Sequence, residues 1–236
     1  MYGTISAGAA QPGRWKSTMT LNNLASTNSN GKVIDSFITA TYNCFLISLL
    51  GMVLFGFVGF NLLPKSWFTP ICIVDGLLWV LCGWFGWRNP ILIVFSLFII
   101  FTGTSLGLTA LHYAESGKSA IFTNAAMLTI SVFVVLSIYV HITKRNFSGL
   151  IGFLIAGFWI LLIGFFIYAF TGTAALHVGL SVFGAVVFCG WILFGTSRII
   201  SRWDPDIDPI TAAFELFLDI IGLFSYMLDL RNLADD

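Results

Sequence analysis

The feature that most constrains this chain is a run of 52 residues, 146–197, without a single Asp, Glu, Lys or Arg. A charged side chain costs at least about 2.5 kcal/mol at the centre of a bilayer, so uncharged stretches are where helices can cross a membrane. As one helix the run would extend about 78 Å, more than twice a hydrocarbon thickness of about 30 Å. It must therefore fold back, and Thr171-Gly172-Thr173 is the predicted turn between two spans.

Five further spans are predicted from the rest of the chain. Three are uncharged and long enough for one crossing each: residues 36–64, 89–114 and 119–143. Two contain acids: residues 68–87 include Asp75, and residues 209–230 include Glu215 and Asp219. Only 9% of the residues are charged, against about 25% in a typical soluble domain. The sequence therefore predicts an all-α membrane protein with seven transmembrane helices.

The first 34 residues contain no apolar run and are rich in Ser, Thr, Asn and Gly. We predict that residues 1–34 form a disordered or irregular cytoplasmic tail, and that residues 35–236 form a single seven-helix transmembrane domain. Arg14 and Lys16 lie in this tail, and no acid precedes Asp35. A transit peptide is the alternative, because such peptides are basic and poor in acids.

The distribution of Lys and Arg between the connections predicts the orientation of the chain, because cytoplasmic connections are enriched in these residues. Eight fall on the side of the N-terminus: Arg14, Lys16, Lys32, Arg88, Lys144, Arg145, Arg198 and Arg202. Three fall on the other side: Lys65, Lys118 and Arg231. The N-terminus is therefore predicted to lie in the cytoplasm.

The seventh predicted helix carries a polar stripe. Its members follow one another at spacings of three or four residues, which places them on one helix face: Thr211, Glu215, Asp219, Gly222, Tyr226 and Asp229. An acid inside a span is a candidate functional site by default and should face the bundle interior or a watery cavity. A structural hydrogen bond that fixes helix packing is the alternative.

The stripe and the second span supply three candidate residues for an ion path or a pH sensor. Asp219 is the strongest, because it lies deepest in its helix, whereas Glu215 lies closer to the cytoplasmic end. Asp75, on the second span, is the third. It either shares a cavity with the other two or extends to the nearby membrane surface.

Several other classes of protein are excluded by simple patterns. A net charge of zero gives no basic surface for nucleic acid. His112, His141 and His177 lie near opposite membrane faces, so three ligands cannot meet at one zinc and no metal site is predicted. The spans contain no lysine for a retinal Schiff base.

Asp204-Pro205-Asp206 begins a calcium-loop pattern, but Pro209 stands where that loop requires glycine. No cofactor and no catalytic residue are predicted.

Glycines are frequent in the predicted spans and include a GxxxG pair, Gly103 and Gly107. Small residues at this spacing let helix backbones approach closely in membranes. We predict that they serve packing within the bundle, with homodimerisation as the alternative.

Four segments resemble those of the Bax-inhibitor family, most strongly in the final 100 residues. Two of them, residues 191–199 and 214–224, look like the closing pair of helices of that family, and the acid-rich connection between them fits as well. Residues 139–148, followed by Gly152, resemble the connection between its fourth and fifth helices, and residues 111–114 the end of its third helix. The resemblance covers most of residues 36–233.

This resemblance implies seven helices with the last enclosed by the other six, and a location in the bacterial cytoplasmic (inner) membrane. It implies no enzymatic activity. Bacterial members of the family are described as pH-sensitive calcium leaks, and one branch as a modulator and substrate of a membrane AAA protease. The implied roles are therefore a proton-sensitive calcium leak or a regulatory partner of other membrane proteins, such as a protease. An accessory structural subunit of a larger membrane complex is the alternative.

One position departs from the family pattern. Asp219 falls on the second carboxylate of the paired-aspartate pH sensor, whereas the first carboxylate falls on Gly195, which has no side chain. A proton-sharing pair depends on two close carboxylates. That device is absent in its usual form, and this favours the regulatory role. Glu215 and Asp75 are the candidates to substitute.

Overall fold

The computed structural model describes residues 12–85, 91–201 and 207–235, although the side chains of residues 12–33, 79–85, 91, 92 and 201, and of Lys65, Cys72 and Asp75, lie outside the description. The chain divides into two units, Met1–Thr39 and Ala40–Asp236. The described part is helical throughout, apart from short connections. Its seven α-helices are α1 (Pro12–Leu62), α2 (Phe68–Phe85), α3 (Ile91–Glu115), α4 (Ser119–Thr143), α5 (Ile151–Thr171), α6 (Ala174–Ser201) and α7 (Pro209–Leu233).

Within the described ranges, six helical segments are long and apolar enough to cross a membrane: one in each of α1, α3, α4, α5, α6 and α7. The chain is therefore an integral membrane protein with several spans, as its composition predicts. Helix α2 has 18 residues. A crossing of the membrane by α2, which would be the seventh span, stays a prediction.

The segment of α1 that can span a membrane begins at Ile34, next to the predicted boundary of the transmembrane domain. The helix itself continues back to Pro12, into the segment for which an irregular tail is predicted. Extending an existing helix adds one hydrogen bond for each residue fixed, so it does not require an apolar face. That segment carries no such face, and this is why the sequence pattern alone does not indicate a helix there.

The long uncharged run folds back where the sequence predicts. Helix α5 ends at Thr171, and Gly172 follows with a φ of 60°, in the left-handed region that glycine adopts without strain. The amide of Gly172 donates to the Tyr168 carbonyl at 2.8 Å, which satisfies one of the free carbonyls at the helix end. Helix α7 begins at Pro209, where the predicted span begins, and a proline is well suited to the first turn of a helix.

Helix α7 forms the core of the bundle. In its apolar stretch 61% of residues are buried, against 17% to 44% in the other five spans. It contacts α3, α4 and α6. On the α3 side, Phe95 and Phe98 pack against Phe214 and Phe217, with ring centroids 4.7 to 6.2 Å apart. Enclosure of α7 by all six other helices stays a prediction.

Helices α1 and α3 approach backbone to backbone through their glycines. A methyl group built on Gly59 would lie 2.5 Å from the Thr104 carbonyl oxygen, and one built on Gly103 would lie 2.7 Å from the Met52 carbonyl oxygen. Gly56 and Gly107 are in direct contact at the same interface. The prediction that the GxxxG pair serves packing within the bundle is therefore confirmed.

We expect Gly59→Ala to lower the stability of the protein by about 1–3 kcal/mol, because the new methyl group must push α3 away from α1. Gly179→Ala is the matched control, since a methyl group there meets nothing within 4 Å and tests helix propensity alone. Thermal unfolding of both variants in one detergent checks this prediction. Equal midpoints for the two variants would contradict the close approach.

Candidate functional site

The polar stripe of α7 faces α6 along most of its length. At the end nearer the start of α7, Glu215 pairs with Arg198, and Asp219 faces Gly195 one turn further on. Beyond these, Gly222 faces Phe188 and Tyr226 faces Gly184. At the far end of the stripe, the Asp229 Oδ2 atom lies 3.9 Å from the His177 Nε2 atom. The stripe therefore meets α6, and Asp219 and Gly222 are its buried members.

Asp219 lies in the middle of α7 and is only 9% exposed. A methyl group built on Gly195 would lie 3.4 Å from its Oδ2 atom and 3.5 Å from Leu216 Cδ2. These are ordinary van der Waals distances. Gly195 therefore presents bare backbone to the Asp219 carboxylate, and a side chain at this position would point at it.

One turn before Asp219, Glu215 forms an ion pair with Arg198 of α6. Both side chains are about a quarter exposed. The Arg198 guanidinium also lies 5.7 Å from the centre of the Phe194 ring, within the range of a cation–π contact. Two acids and one arginine thus lie between α6 and α7, and the arginine pairs with Glu215.

Ser197, next to Arg198, fixes this end of α6 to the connection between α4 and α5. Its hydroxyl donates to the Arg145 carbonyl at 2.9 Å and accepts from the Phe147 amide at 3.1 Å. Ser197 itself is buried. The backbone that carries Gly195 and Arg198 is therefore held by contacts outside α6, which restricts its movement relative to α4 and α5.

Ser197 and Arg198 are site residues that the sequence pattern does not indicate. The charge of Arg198 predicts the end of a span at this point, whereas α6 continues to Ser201. A signal was present in the spacing. Arg198 follows Gly195 by three residues and therefore lies on the same helix face.

The third candidate, Asp75, is on α2. Its side chain lies outside the described residues, so its proposed share in this site stays a prediction. The Asp204-Pro205-Asp206 segment also lies outside them.

The three histidines lie at helix ends. His112 is in the last turn of α3, and His141 is in the last turn of α4. His177, near the start of α6, stacks on Tyr168 with ring centroids 4.8 Å apart. Among the described residues, no three His, Cys, Asp or Glu side chains are grouped as metal ligands would be.

The fold and the site define a class: a polytopic α-helical membrane protein with a buried carboxylate on its last helix and an interhelical ion pair beside it. The family model described as Bax1-I, "Inhibitor of apoptosis-promoting Bax1", matches residues 34–235. The chain therefore belongs to the Bax-inhibitor family, and the resemblance seen in the sequence is confirmed. The paired-aspartate assignment of Gly195 and Asp219 stays a prediction.

Similar curated proteins come from a virus, a yeast and a bacterium. The "Golgi anti-apoptotic protein" of Vaccinia virus (strain Lister) is 37% identical over 47% of this chain and 46% of its own length. "Bax inhibitor 1" of Schizosaccharomyces pombe is 33% identical over 59% of this chain and 51% of its own. "Modulator of FtsH protease YccA" of Escherichia coli is 31% identical over 57% of this chain and 60% of its own length. The chain spans about half the length of the curated relatives it matches.

Proposed function

We propose that this protein is a non-enzymatic regulator that acts by binding other integral membrane proteins. The observation that carries the proposal is the bare backbone of Gly195 opposite Asp219. A sensor that shares one proton between two carboxylates needs a second acid at that point. Here α6 and α7 are joined instead by the Arg198–Glu215 ion pair. This arrangement is a packed junction between two helices.

The proposed partner is another protein of the same membrane. The Escherichia coli relative is named as a modulator of a protease, so a membrane-bound protease is the first partner to consider. An accessory role in a larger membrane complex is the alternative. The proposed location is the bacterial cytoplasmic membrane, with the N-terminus in the cytoplasm, as the Lys and Arg distribution predicts.

Site-specific photocrosslinking in native membranes tests partner binding. A photoreactive phenylalanine analogue replaces one outward-facing residue at a time, such as Leu50 on α1, Val135 on α4 or Phe166 on α5, which are 56% to 70% exposed. At least one of these positions should give a discrete adduct with a second membrane protein. Phe98 is the matched control, because it is fully buried and should give none. If all three outward positions form adducts with lipid alone, the proposal is wrong.

A pH-sensitive cation leak is the second candidate function. It is favoured by the position of Asp219, a buried carboxylate halfway along a membrane-spanning helix. Acids at such positions mark ion and proton paths in many membrane proteins. The ions concerned would be calcium and protons.

A further inference from the structure

A cleft of about 540 Å³ lies between α1 and α4, in the half of the bundle nearer the α3–α4 connection. Its rim is exposed: Val53 on α1 is 65% exposed and Ile130 on α4 is 58% exposed. Its floor is buried and belongs to α7, where Ile220, Ile221 and Phe224 are only 6% to 8% exposed. The cleft is therefore an opening in the side of the bundle through which the core helix can be reached.

One wall of the cleft includes glycines of α1 and α3. Gly56 and Gly107 both line it and touch one another. A methyl group built on Gly107 would lie 2.9 Å from the Gly56 Cα atom. A side chain on either residue would point at the other helix, so the two backbones meet directly and form this part of the cleft wall.

The chemistry of the lining restricts what can fill the cleft. Its side chains are apolar with one exception, Thr129. The Thr129 hydroxyl donates to the Ala125 carbonyl of its own helix at 2.8 Å, so it is already satisfied. No lining side chain offers a charge or a free hydrogen-bonding group to a ligand. The four helices that form the cleft are all membrane-spanning, and hydrocarbon rather than water surrounds them at this depth.

The volume of the cleft separates two apolar occupants, a lipid chain and a helix of another protein. A helix with its side chains is about 10–12 Å across, so a space of this size would hold only about one turn of it. The volume lies within the range of about 300–1,000 Å³ that is typical of small-ligand sites. An empty cleft would deprive its lining of dispersion contacts. A flexible chain from the surrounding bilayer can restore those contacts.

We propose that this cleft binds one acyl chain of a bilayer lipid, which packs directly on Ile220, Ile221 and Phe224 of α7. At about 100° per residue, these three side chains point on average about 150° away from Asp219 on the helix. The lipid chain thus supports the back of the helix whose front carries the Asp219 carboxylate. Occupation of the cleft holds α7 against α6.

Photolabelling from the lipid phase tests the proposal. The full-length protein is reconstituted in phosphatidylcholine vesicles that contain a phosphatidylcholine with a diazirine midway along one acyl chain. After irradiation, the labelled residues are identified by mass spectrometry. We expect adducts on Ile220, Ile221 or Phe224, which line the cleft. Adducts on the exposed residues Phe158 and Ile160 of α5 report ordinary contact with the bilayer.

Two matched variants give the test its specificity. Ala126→Phe places a ring inside the cleft, since Ala126 lines it, and should abolish the α7 adducts while those on α5 remain. Ala156→Phe adds the same ring to the exposed side of α5 and should leave both sets unchanged. If Ala126→Phe does not fold, the presence or absence of α7 adducts in the wild-type protein still decides whether a lipid chain enters the cleft.

Three results would overturn the proposal. The first is a wild-type protein with labelled α5 but unlabelled α7, which would mean that no lipid chain enters. The second is an unlabelled α7 together with a disulfide-linked dimer of Val53→Cys, which would identify a second copy of the chain as the occupant. Adducts on α7 that persist in Ala126→Phe would likewise place the lipid elsewhere.

Discussion

Arg198→Gln should destabilise the protein by about 3–5 kcal/mol, which is the usual cost of removing one partner from a buried ion pair. The cost arises because Glu215 loses its partner while Asp219, one turn away on α7, remains buried. Both members of the pair are about a quarter exposed, so the lower part of that range is expected. Thermal or chaotrope-induced unfolding in detergent measures the effect.

A double-mutant cycle separates this pairing from other effects of the substitutions. Glu215→Gln alone should also destabilise, because it leaves the Arg198 guanidinium without its carboxylate. The double variant should lose less than the sum of the two single changes, since neither charge is then unpaired. Arg145→Gln is the control for loss of a positive charge, because its side chain is exposed in the α4–α5 connection. Strict additivity in the cycle would mean that the pair contributes nothing.

Much of the fold could be predicted from the positions of the charges alone. The cost of a charge in hydrocarbon is large compared with other local preferences, so each uncharged stretch predicts the apolar part of one or two helices. The turn at Gly172 followed from length, since no single helix of that run fits in a bilayer. The polar stripe could be predicted from helical spacing, because an acid in a span has to turn away from lipid.

The residues that the sequence did not predict depend on contacts between helices. Arg198 meets Glu215 across 17 positions of sequence, and Ser197 meets Arg145 across 52. No local pattern marks such pairs. The cleft beside α7 is equally hidden, because its lining is as apolar as the rest of the bundle surface. It is formed where α1, α3, α4 and α7 pack around a common space.

Gly195→Asp, which places a second carboxylate beside Asp219, should make the stability of the protein strongly dependent on pH. The new side chain starts 3.4 Å from Asp219 Oδ2, and two carboxylates at such a distance repel when both are ionised. The variant should therefore be more stable near pH 5 than near pH 8, by a margin larger than in the wild type. Unfolding midpoints across this range give the measurement, with Gly195→Asn as the uncharged control of similar shape.

The same variants decide between the two candidate functions. If the protein is a leak, Gly195→Asp should increase the acid sensitivity of calcium flux into proteoliposomes, because it creates a carboxylate pair. Asp219→Asn should change the flux and flatten its pH dependence while leaving folding largely intact, since the amide preserves the shape of the side chain. If wild type and both variants give no calcium flux above that of empty liposomes between about pH 5 and pH 8, the leak is ruled out for this chain. Asp219 then has a structural role at the α6–α7 junction, as the partner-binding function requires.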